Sequence, residues 1–133
     1  MSIGKQMRLR REELGLSRAE LAKELGVNLV AGSVANARGG RVYNTACVFD
    51  RTGSLLCAYD KTHLFTPMGE QEYFTPGDHL CRFELDGVPC GILICYDIRF
   101  PEQYRLMASS GADAFLIAAD FTKATGERHW EAL

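Results

Sequence analysis

The sequence predicts an α/β fold with a mixed sheet, and two kinds of pattern support this prediction. Apolar residues recur at helical spacing before Gly26 and again after Pro101, which indicates amphipathic helices. Between and beyond these segments, short apolar runs are bounded by glycine, proline and aspartate, which is typical of strands and turns. The 133 residues are enough for one compact domain with a hydrophobic core.

Residues 1–26 are predicted to form a pair of helices. Gly15 interrupts the first helical stripe. Ser17 and Glu20 then have the spacing of a capping box, in which each side chain bonds the backbone N–H of the other residue at the start of a helix. Gly26 follows the last apolar repeat and suits a helix end. We treat this pair as a unit separate from the domain that follows over residues 27–133.

The helix pair resembles the first two helices of a phage-repressor-like helix-turn-helix domain. In such a domain a recognition helix follows the turn. Here residues 28–34 predict a strand instead, because they are mostly apolar and partly β-branched. The basic side chains of the pair are also offset by Glu12, Glu13, Glu20 and Glu24. We therefore expect solvated helices packed on the body of the protein, and no binding of nucleic acid.

Six strands and two further helices are predicted after the helix pair. Hairpin turns are indicated by residues 50–53 and by Asp86-Gly87, where glycine supplies the positive φ of a tight turn. Residues 35–40 are predicted as a turn, and residues 66–78 as a long loop of the kind that is often functional. The strands are predicted over residues 29–34, 42–50, 54–59, 80–85, 88–95 and 113–118, and the helices over residues 101–110 and 127–133.

The composition argues against several classes of protein. A net charge of −2 gives no reason to expect a polyanion partner. No apolar stretch is long enough to cross a membrane, and the charged N-terminus lacks the apolar centre of a signal peptide. The five cysteines form neither a CxxC pair nor a Cys/His zinc spacing. We therefore expect free thiols, a cytoplasmic protein that does not bind membranes, and no metal site.

The stretch of residues 91–102 has the strongest chemical signal. Residues 92–94 are a continuous apolar run, typical of a strand buried on both faces, and Pro101 suits the first position of a helix. Cys95 therefore lies at a sharp elbow, near backbone N–H groups that are free before the helix. That setting favours a thiolate and can bind a developing oxyanion. A buried structural cysteine is the alternative.

Lys61 and Glu70 are candidate partners for this cysteine. Lys61 ends a predicted strand, and Glu70 lies in the long loop. A thiol nucleophile needs a base to take its proton and a positive group to stabilise the negative charge that forms. On physical grounds alone, both residues could equally be solvated surface charges.

The sequence resembles the nitrilase superfamily of carbon–nitrogen hydrolases, most closely its amidase branch with the ω-amidase-like enzymes. The resemblance covers roughly residues 21–133. It implies part of a four-layer αββα sandwich with a mixed sheet, and an enzyme that needs no metal or organic cofactor. The motifs are YDKTHLF at 59–65, FTPGD at 74–78 and GILICYDIRFPE at 91–102, with shorter matches at 31–33, 43–45, 125–126 and 129–131.

The resemblance also implies roles for individual residues. Cys95 is the nucleophile, Lys61 stabilises the tetrahedral intermediate, and the N–H of Tyr96 completes the oxyanion hole. Glu70 matches a second glutamate that positions the substrate and the catalytic groups. The predicted function is hydrolysis of the carbon–nitrogen bond of a small amide through a cysteine thioester.

Two features depart from the family pattern. The family's general-base glutamate lies at the end of an early strand, and residues 1–20 contain no such strand. The chain also ends soon after His129 and Trp130, which bind substrate by resemblance or else lie on a surface helix. We therefore expect a domain truncated at both ends, as a truncated product, a chimera or a design, with uncovered edges that favour a homo-oligomer. The alternative function is an inactive fragment that acts only by protein association.

Overall fold

The computed structural model describes residues 3–121, 126–128 and 131. They form three α-helices and six strands, with short 3₁₀ turns at Thr66–Met68, Glu70–Glu72 and Cys95–Arg99. The helices are α1 (Ile3–Glu13), α2 (Arg18–Leu25) and α3 (Pro101–Ser109). The strands are β1 (Leu29–Arg38), β2 (Arg41–Phe49), β3 (Leu55–Asp60), β4 (Arg82–Leu85), β5 (Val88–Ile94) and β6 (Ala114–Ala118).

The strands form two three-stranded sheets. In the first sheet, β1, β2 and β3 are antiparallel neighbours. In the second sheet, β5 pairs antiparallel with β4 and parallel with β6, so this sheet is mixed, as predicted. Buried side chains of both sheets share one core, which includes Val48 and Tyr59 from the first sheet and Ile92 and Leu93 from the second. The architecture confirms the α/β fold expected from the sequence.

Helices cover the two sheets. Helix α2 contacts β1 and β2, and Ala22 of α2 is fully buried. Helix α3 packs so closely on β5 that a Cβ at Gly91 would lie 2.7 Å from the sulfur of Met107. Glycine at position 91 therefore lets α3 approach the strand that leads to Cys95.

The helix starts and hairpin turns follow the local signals of the sequence. The Ser17 hydroxyl accepts a hydrogen bond from the Glu20 N–H at 3.1 Å, and the Glu20 carboxylate accepts one from the Ser17 N–H at 2.7 Å. This confirms the predicted capping box, and its hydrogen bonds lower the pKa of Glu20. Asp86 and Gly87 both have positive φ, at 50° and 82°, as a tight two-residue hairpin requires.

The first hairpin differs from the prediction. Strand β1 runs to Arg38, so the turn predicted over residues 35–40 contains only Gly39 and Gly40. Residues 35–38 pair with residues 41–44 of β2, and this backbone ladder outweighs their weak individual preference for a strand. The last predicted helix, over residues 127–133, lies largely outside the described residues.

The cysteines also differ from the prediction. Cys57 of β3 and Cys81, just before β4, form a disulfide with a Cα–Cα distance of 6.5 Å. The expectation of free thiols throughout is therefore wrong, because folding brings together two cysteines 24 residues apart that have no sequence spacing typical of a pair. Cys47, Cys90 and Cys95 are free. The cytoplasmic location stays a prediction, although disulfides are more typical of oxidising compartments.

No helix among the described residues has both the length and the apolar character needed to cross a membrane.

Candidate active site

The three predicted catalytic residues, Lys61, Glu70 and Cys95, line one cavity of about 880 Å³. Asn44 of β2 also lines this cavity and adds a further polar group to it. The rest of the lining is largely apolar and comes from both sheets and from the loop after β3. It includes Phe65, Met68, Tyr73, Phe74, Ile94, Phe115, Leu116 and Ile117.

Cys95 occupies a strained backbone position at the end of β5. Its φ of 47° is in the left-handed region, and Asp86 is the one other non-glycine residue of the described chain with positive φ. Such a conformation costs about 1–3 kcal/mol and persists when its surroundings impose it. The half-buried side chain of Cys95 packs against the edge of the core and also lines the cavity.

Tyr96 follows Cys95 in the same 3₁₀ turn. The turn begins at Cys95, so the turn itself contains no carbonyl that could accept a hydrogen bond from the backbone N–H of Tyr96. The ring of Tyr96 packs edge-on against Phe65, with centroids 5.0 Å apart, and against Phe100 at 5.4 Å. These contacts hold the turn against the loop that follows β3.

Lys61 follows directly after β3 and has a buried side chain. Its Nζ lies 2.5 Å from Oε2 of Glu70. Its backbone N–H donates to the Asn44 carbonyl at 2.9 Å, and its carbonyl accepts from the Gly77 N–H at 2.9 Å. A buried ammonium is tolerated when it is paired and hydrogen-bonded in this way.

Glu70 lies at the start of the second 3₁₀ turn, with its carboxylate held by three donors. Besides Lys61, the Phe65 N–H donates to Oε2 at 2.6 Å and the Asn44 side-chain amide donates to Oε1 at 3.0 Å. Burial alone would raise the pKa of Glu70, but these hydrogen bonds outweigh it and hold the pKa below its usual range. Glu70 is therefore ionised at neutral pH and balances the charge of Lys61.

Sequence reasoning missed two residues of this site. Asn44 contacts Glu70 from β2, and Asp97 is a fully buried carboxylate two residues after Cys95. The Asp97 carboxylate accepts hydrogen bonds from the backbone before Cys95 and from residues just after Lys61. A buried aspartate next to the elbow was the available signal, but its partners other than Ile94 are 34 to 38 positions away in the chain.

Three glutamates of the N-terminal helix pair and two residues near the chain end were also considered from the sequence. Glu12 and Glu13 pair with arginines of α1, and Glu20 caps α2. None of the three is among the described residues that line the cavity. His129 and Trp130 lie outside the described residues. Within the described part of the chain, no group of three or more His, Cys, Asp and Glu side chains could hold a metal ion.

Comparison with known proteins shows which family this chain resembles in sequence. The sequence model of the carbon-nitrogen hydrolase family matches residues 15–133, a range that includes α2. The 2-oxoglutaramate amidase of Bacillus subtilis (strain 168) is 44% identical over 112 residues, which cover 84% of this chain and 43% of that protein. The omega-amidase NIT2 of Danio rerio is 38% identical over 122 residues, which cover 86% of this chain and 44% of that protein.

A solved structure gives the same result for the fold. Nit3 of Saccharomyces cerevisiae, a member of branch 10 of the nitrilase superfamily, superposes with a TM-score of 0.76 at 32% identity. The superposition covers 84% of this chain and 41% of the Nit3 chain. The chain thus spans less than half the length of the relatives it matches. Because the family match runs from residue 15 to the last residue and the fold agrees with that of Nit3, this chain belongs to the carbon-nitrogen hydrolase family.

Proposed function

We propose that this chain hydrolyses the carbon–nitrogen bond of a small amide through a thioester on Cys95. The observation that supports this most strongly is the shared cavity. It is lined by a thiol at a strained strand end, a buried ammonium and an ionised carboxylate. An acyl-transfer site needs these three kinds of group within reach of one reacting carbon.

In the first half of the reaction, the sulfur of Cys95 attacks the carbonyl carbon of the amide. The Lys61 ammonium and the Tyr96 N–H stabilise the negative charge on the carbonyl oxygen of the tetrahedral intermediate. The carbon–nitrogen bond then breaks, and the thiol proton leaves with the nitrogen as ammonia. The product on the enzyme is an acyl thioester.

In the second half, water attacks the thioester carbon. The carbon–sulfur bond breaks, the carboxylic acid is released, and the Cys95 thiol is restored. Over both halves, one amide and one water give one acid and one ammonia. Glu70 holds the Lys61 ammonium in place throughout, because an unpaired ammonium in a buried site would lose its proton or move to solvent.

The substrate class follows from the relatives and from the lining of the cavity. The relatives in Bacillus subtilis and Danio rerio are named for 2-oxoglutaramate and for ω-amides. The cavity combines a polar end at Lys61 and Glu70 with apolar walls that suit a short carbon chain. We therefore propose a small ω-amide as the substrate, turned over by a cytoplasmic homo-oligomer.

Release of ammonia from 2-oxoglutaramate tests this function. We expect turnover by the wild-type chain, and loss of turnover in Cys95→Ser, because a serine hydroxyl is a much weaker nucleophile in a site built for a thiol. Cys47→Ser is the matched control, since Cys47 is a half-buried free thiol of β2 that does not line the cavity in the described structure.

Two outcomes would refute the proposal. One is equal ammonia release by the wild-type chain and by Cys95→Ser. The other is no release by the wild-type chain from 2-oxoglutaramate or any other small amide, which would leave the inactive-fragment alternative. Nothing in the fold or in the comparisons favours that alternative.

A further inference from the structure

We propose that Asp97 is a positioning residue that holds the Cys95 elbow and the chain just after Lys61 in a fixed relation to each other. The inference rests on the proposed function, because a fixed position of Cys95 relative to Lys61 matters only if both groups act on the same carbonyl group. Asp97 itself is not among the residues that line the cavity. It acts through Cys95 and Lys61, from behind the site.

One oxygen of Asp97 holds the elbow. The Ile94 N–H donates to Oδ2 at 3.0 Å, and Ile94 is the residue directly before Cys95. The Tyr59 hydroxyl of β3 donates to the same oxygen at 2.8 Å. Burial and the nearby charge of Asp97 both raise the pKa of Tyr59, so this hydroxyl keeps its proton and remains a donor. The strained φ of Cys95 is thus stabilised by a buried anion on its own turn.

The other oxygen holds the segment after Lys61. The His63 N–H donates to Oδ1 at 2.9 Å, and the Thr62 hydroxyl donates to it at 3.2 Å. The Nδ1 of His63 also lies 2.9 Å from Oδ1. Because a carboxylate can only accept, this ring nitrogen carries the proton and donates. Five donors therefore converge on one buried carboxylate, and they come from both chain segments of the site.

An asparagine at position 97 would keep the shape of the side chain but would disrupt its hydrogen bonds. Its NH₂ group must replace one of the two oxygens, and each oxygen accepts from a backbone N–H, which can only donate: Ile94 at Oδ2 and His63 at Oδ1. In either orientation of the amide, its NH₂ group would face a backbone N–H, and two donors cannot form a hydrogen bond. The elbow and the segment after Lys61 would then lose their common anchor.

Two variants of His63 can separate the effect of its hydrogen bond to Asp97 from the effect of its ring packing. Its ring stacks on Phe100, with centroids 3.5 Å apart and planes 7° from parallel. His63→Asn keeps a donor at the position of Nδ1 and loses the stacked ring. His63→Phe keeps a stacked ring and loses the donor. If the network positions the site, the asparagine variant retains function and the phenylalanine variant does not.

The experiment measures two properties of each variant. The first is kcat and KM for ammonia release from 2-oxoglutaramate. The second is the rate at which iodoacetamide labels Cys95, read by peptide mass spectrometry, which does not require turnover. In Asp97→Asn we expect kcat to fall about 100-fold with KM nearly unchanged, because a small displacement of reacting groups has an effect of that size. We expect labelling of Cys95 to slow about 10-fold, because the elbow no longer holds the sulfur in the lining of the cavity.

Asp60→Asn is the matched control for a buried carboxylate. Asp60 is as buried as a core residue, and its partners Arg38 and Thr45 both belong to the first sheet. We expect this variant to lose thermal stability while the labelling of Cys95 stays within about twofold of wild type, because the hydrogen bonds of Asp60 to Arg38 and Thr45 do not involve the elbow that carries Cys95. A merely structural role of Asp97 would give the same result as Asp60→Asn.

The outcomes separate the inference from the proposed function. Wild-type kcat and labelling in Asp97→Asn would overturn the inference, and so would equal loss in His63→Asn and His63→Phe. If Asp97→Asn does not fold, the two His63 variants decide. If the wild-type chain releases no ammonia but labelling of Cys95 still depends on Asp97 and on the His63 donor, the proposed function fails and the positioning role stands.

Discussion

Glu70 combines burial with three hydrogen-bond donors, and this determines its charge. The Lys61 ammonium, the Phe65 N–H and the Asn44 amide all stabilise the carboxylate form, so its pKa lies below the ordinary value of 4.5. The lowered pKa couples the stability of the fold to pH. Above the ordinary value the ionised form stabilises the folded state fully. As pH falls toward the lowered pKa, protonation of the folded state removes that contribution.

Glu70→Gln tests this coupling. At pH 7 we expect the variant to be less stable than wild type by about 3 kcal/mol, because one partner of a buried ion pair is removed. Between about pH 5 and pH 3 the gap should narrow, because wild type loses its advantage as Glu70 becomes protonated. Urea unfolding at several pH values measures the gap. Glu72→Gln, an exposed neighbour in the same turn, is the control, and a pH-independent gap for Glu70→Gln would contradict the prediction.

At the scale of elements, backbone hydrogen bonds hold the long loop after β3 against the first sheet. The Thr75 N–H donates to the Val42 carbonyl at 2.7 Å, and the Gly77 N–H donates to the Lys61 carbonyl at 2.9 Å. A Cβ at Gly77 would lie 2.3 Å from the Asp60 carbonyl oxygen, which is backbone and cannot rotate away. The loop that carries Glu70 can therefore return to the sheet here only with glycine.

Gly77→Ala should consequently destabilise the protein by about 3 kcal/mol, the upper part of the range for overpacking. Ammonia release should fall as well, since the backbone that must shift belongs to Asp60 and Lys61. The control is Gly126→Ala, where the new Cβ would meet Phe121 at 3.5 Å, an ordinary contact. Urea unfolding midpoints of both variants give the comparison, and equal midpoints would rule out a steric role for Gly77.

The disulfide between Cys57 and Cys81 joins β3 to the entry of β4 and encloses the loop with Lys61 and Glu70. Closing a loop of this length stabilises a protein by about 3 kcal/mol through the unfolded state. We expect a reductant to lower the melting temperature of wild type and to leave that of Cys57→Ala/Cys81→Ala unchanged. If the reductant does not change the melting temperature of the wild-type protein, the disulfide does not contribute to its stability.

For the whole molecule, the apolar side chains on the surface are the dominant feature. Val30, Leu55 and Leu56 are exposed on the first sheet, and Val88 and Leu106 are exposed on β5 and α3. Apolar surface favours association of protein chains where its side chains lie together in one patch. The net charge of −2 is too small to oppose it by repulsion.

We therefore predict that the chain self-associates. Light scattering behind size exclusion should give a mass above the 14.8 kDa of one chain, rising with protein concentration and persisting at high salt, because apolar association is not screened. A mass of one chain across the whole concentration range would refute this prediction. Dissociation by salt alone would indicate charge pairing instead.

Local signals were sufficient for much of this protein. The capping box at Ser17 and Glu20, the turn at Asp86-Gly87 and the strand that ends before Cys95 depend on neighbours within a few residues, so sequence spacing alone predicted them. Position along the chain indicated Lys61 and Glu70 as candidate partners of the cysteine, and the family resemblance implied a role for each. The structure has all three residues in the lining of one cavity.

Tertiary structure alone decided which distant groups meet. The Cys57–Cys81 bond and the hydrogen bonds from residues 59–63 to Asp97 all join segments that are far apart in the chain. No pattern along the chain encodes such contacts, because their energy arises only once the two sheets have packed and water has left the space between them. The sequence therefore determined which thiol lies at a strand end, and the packing of the sheets determined which groups hold it there.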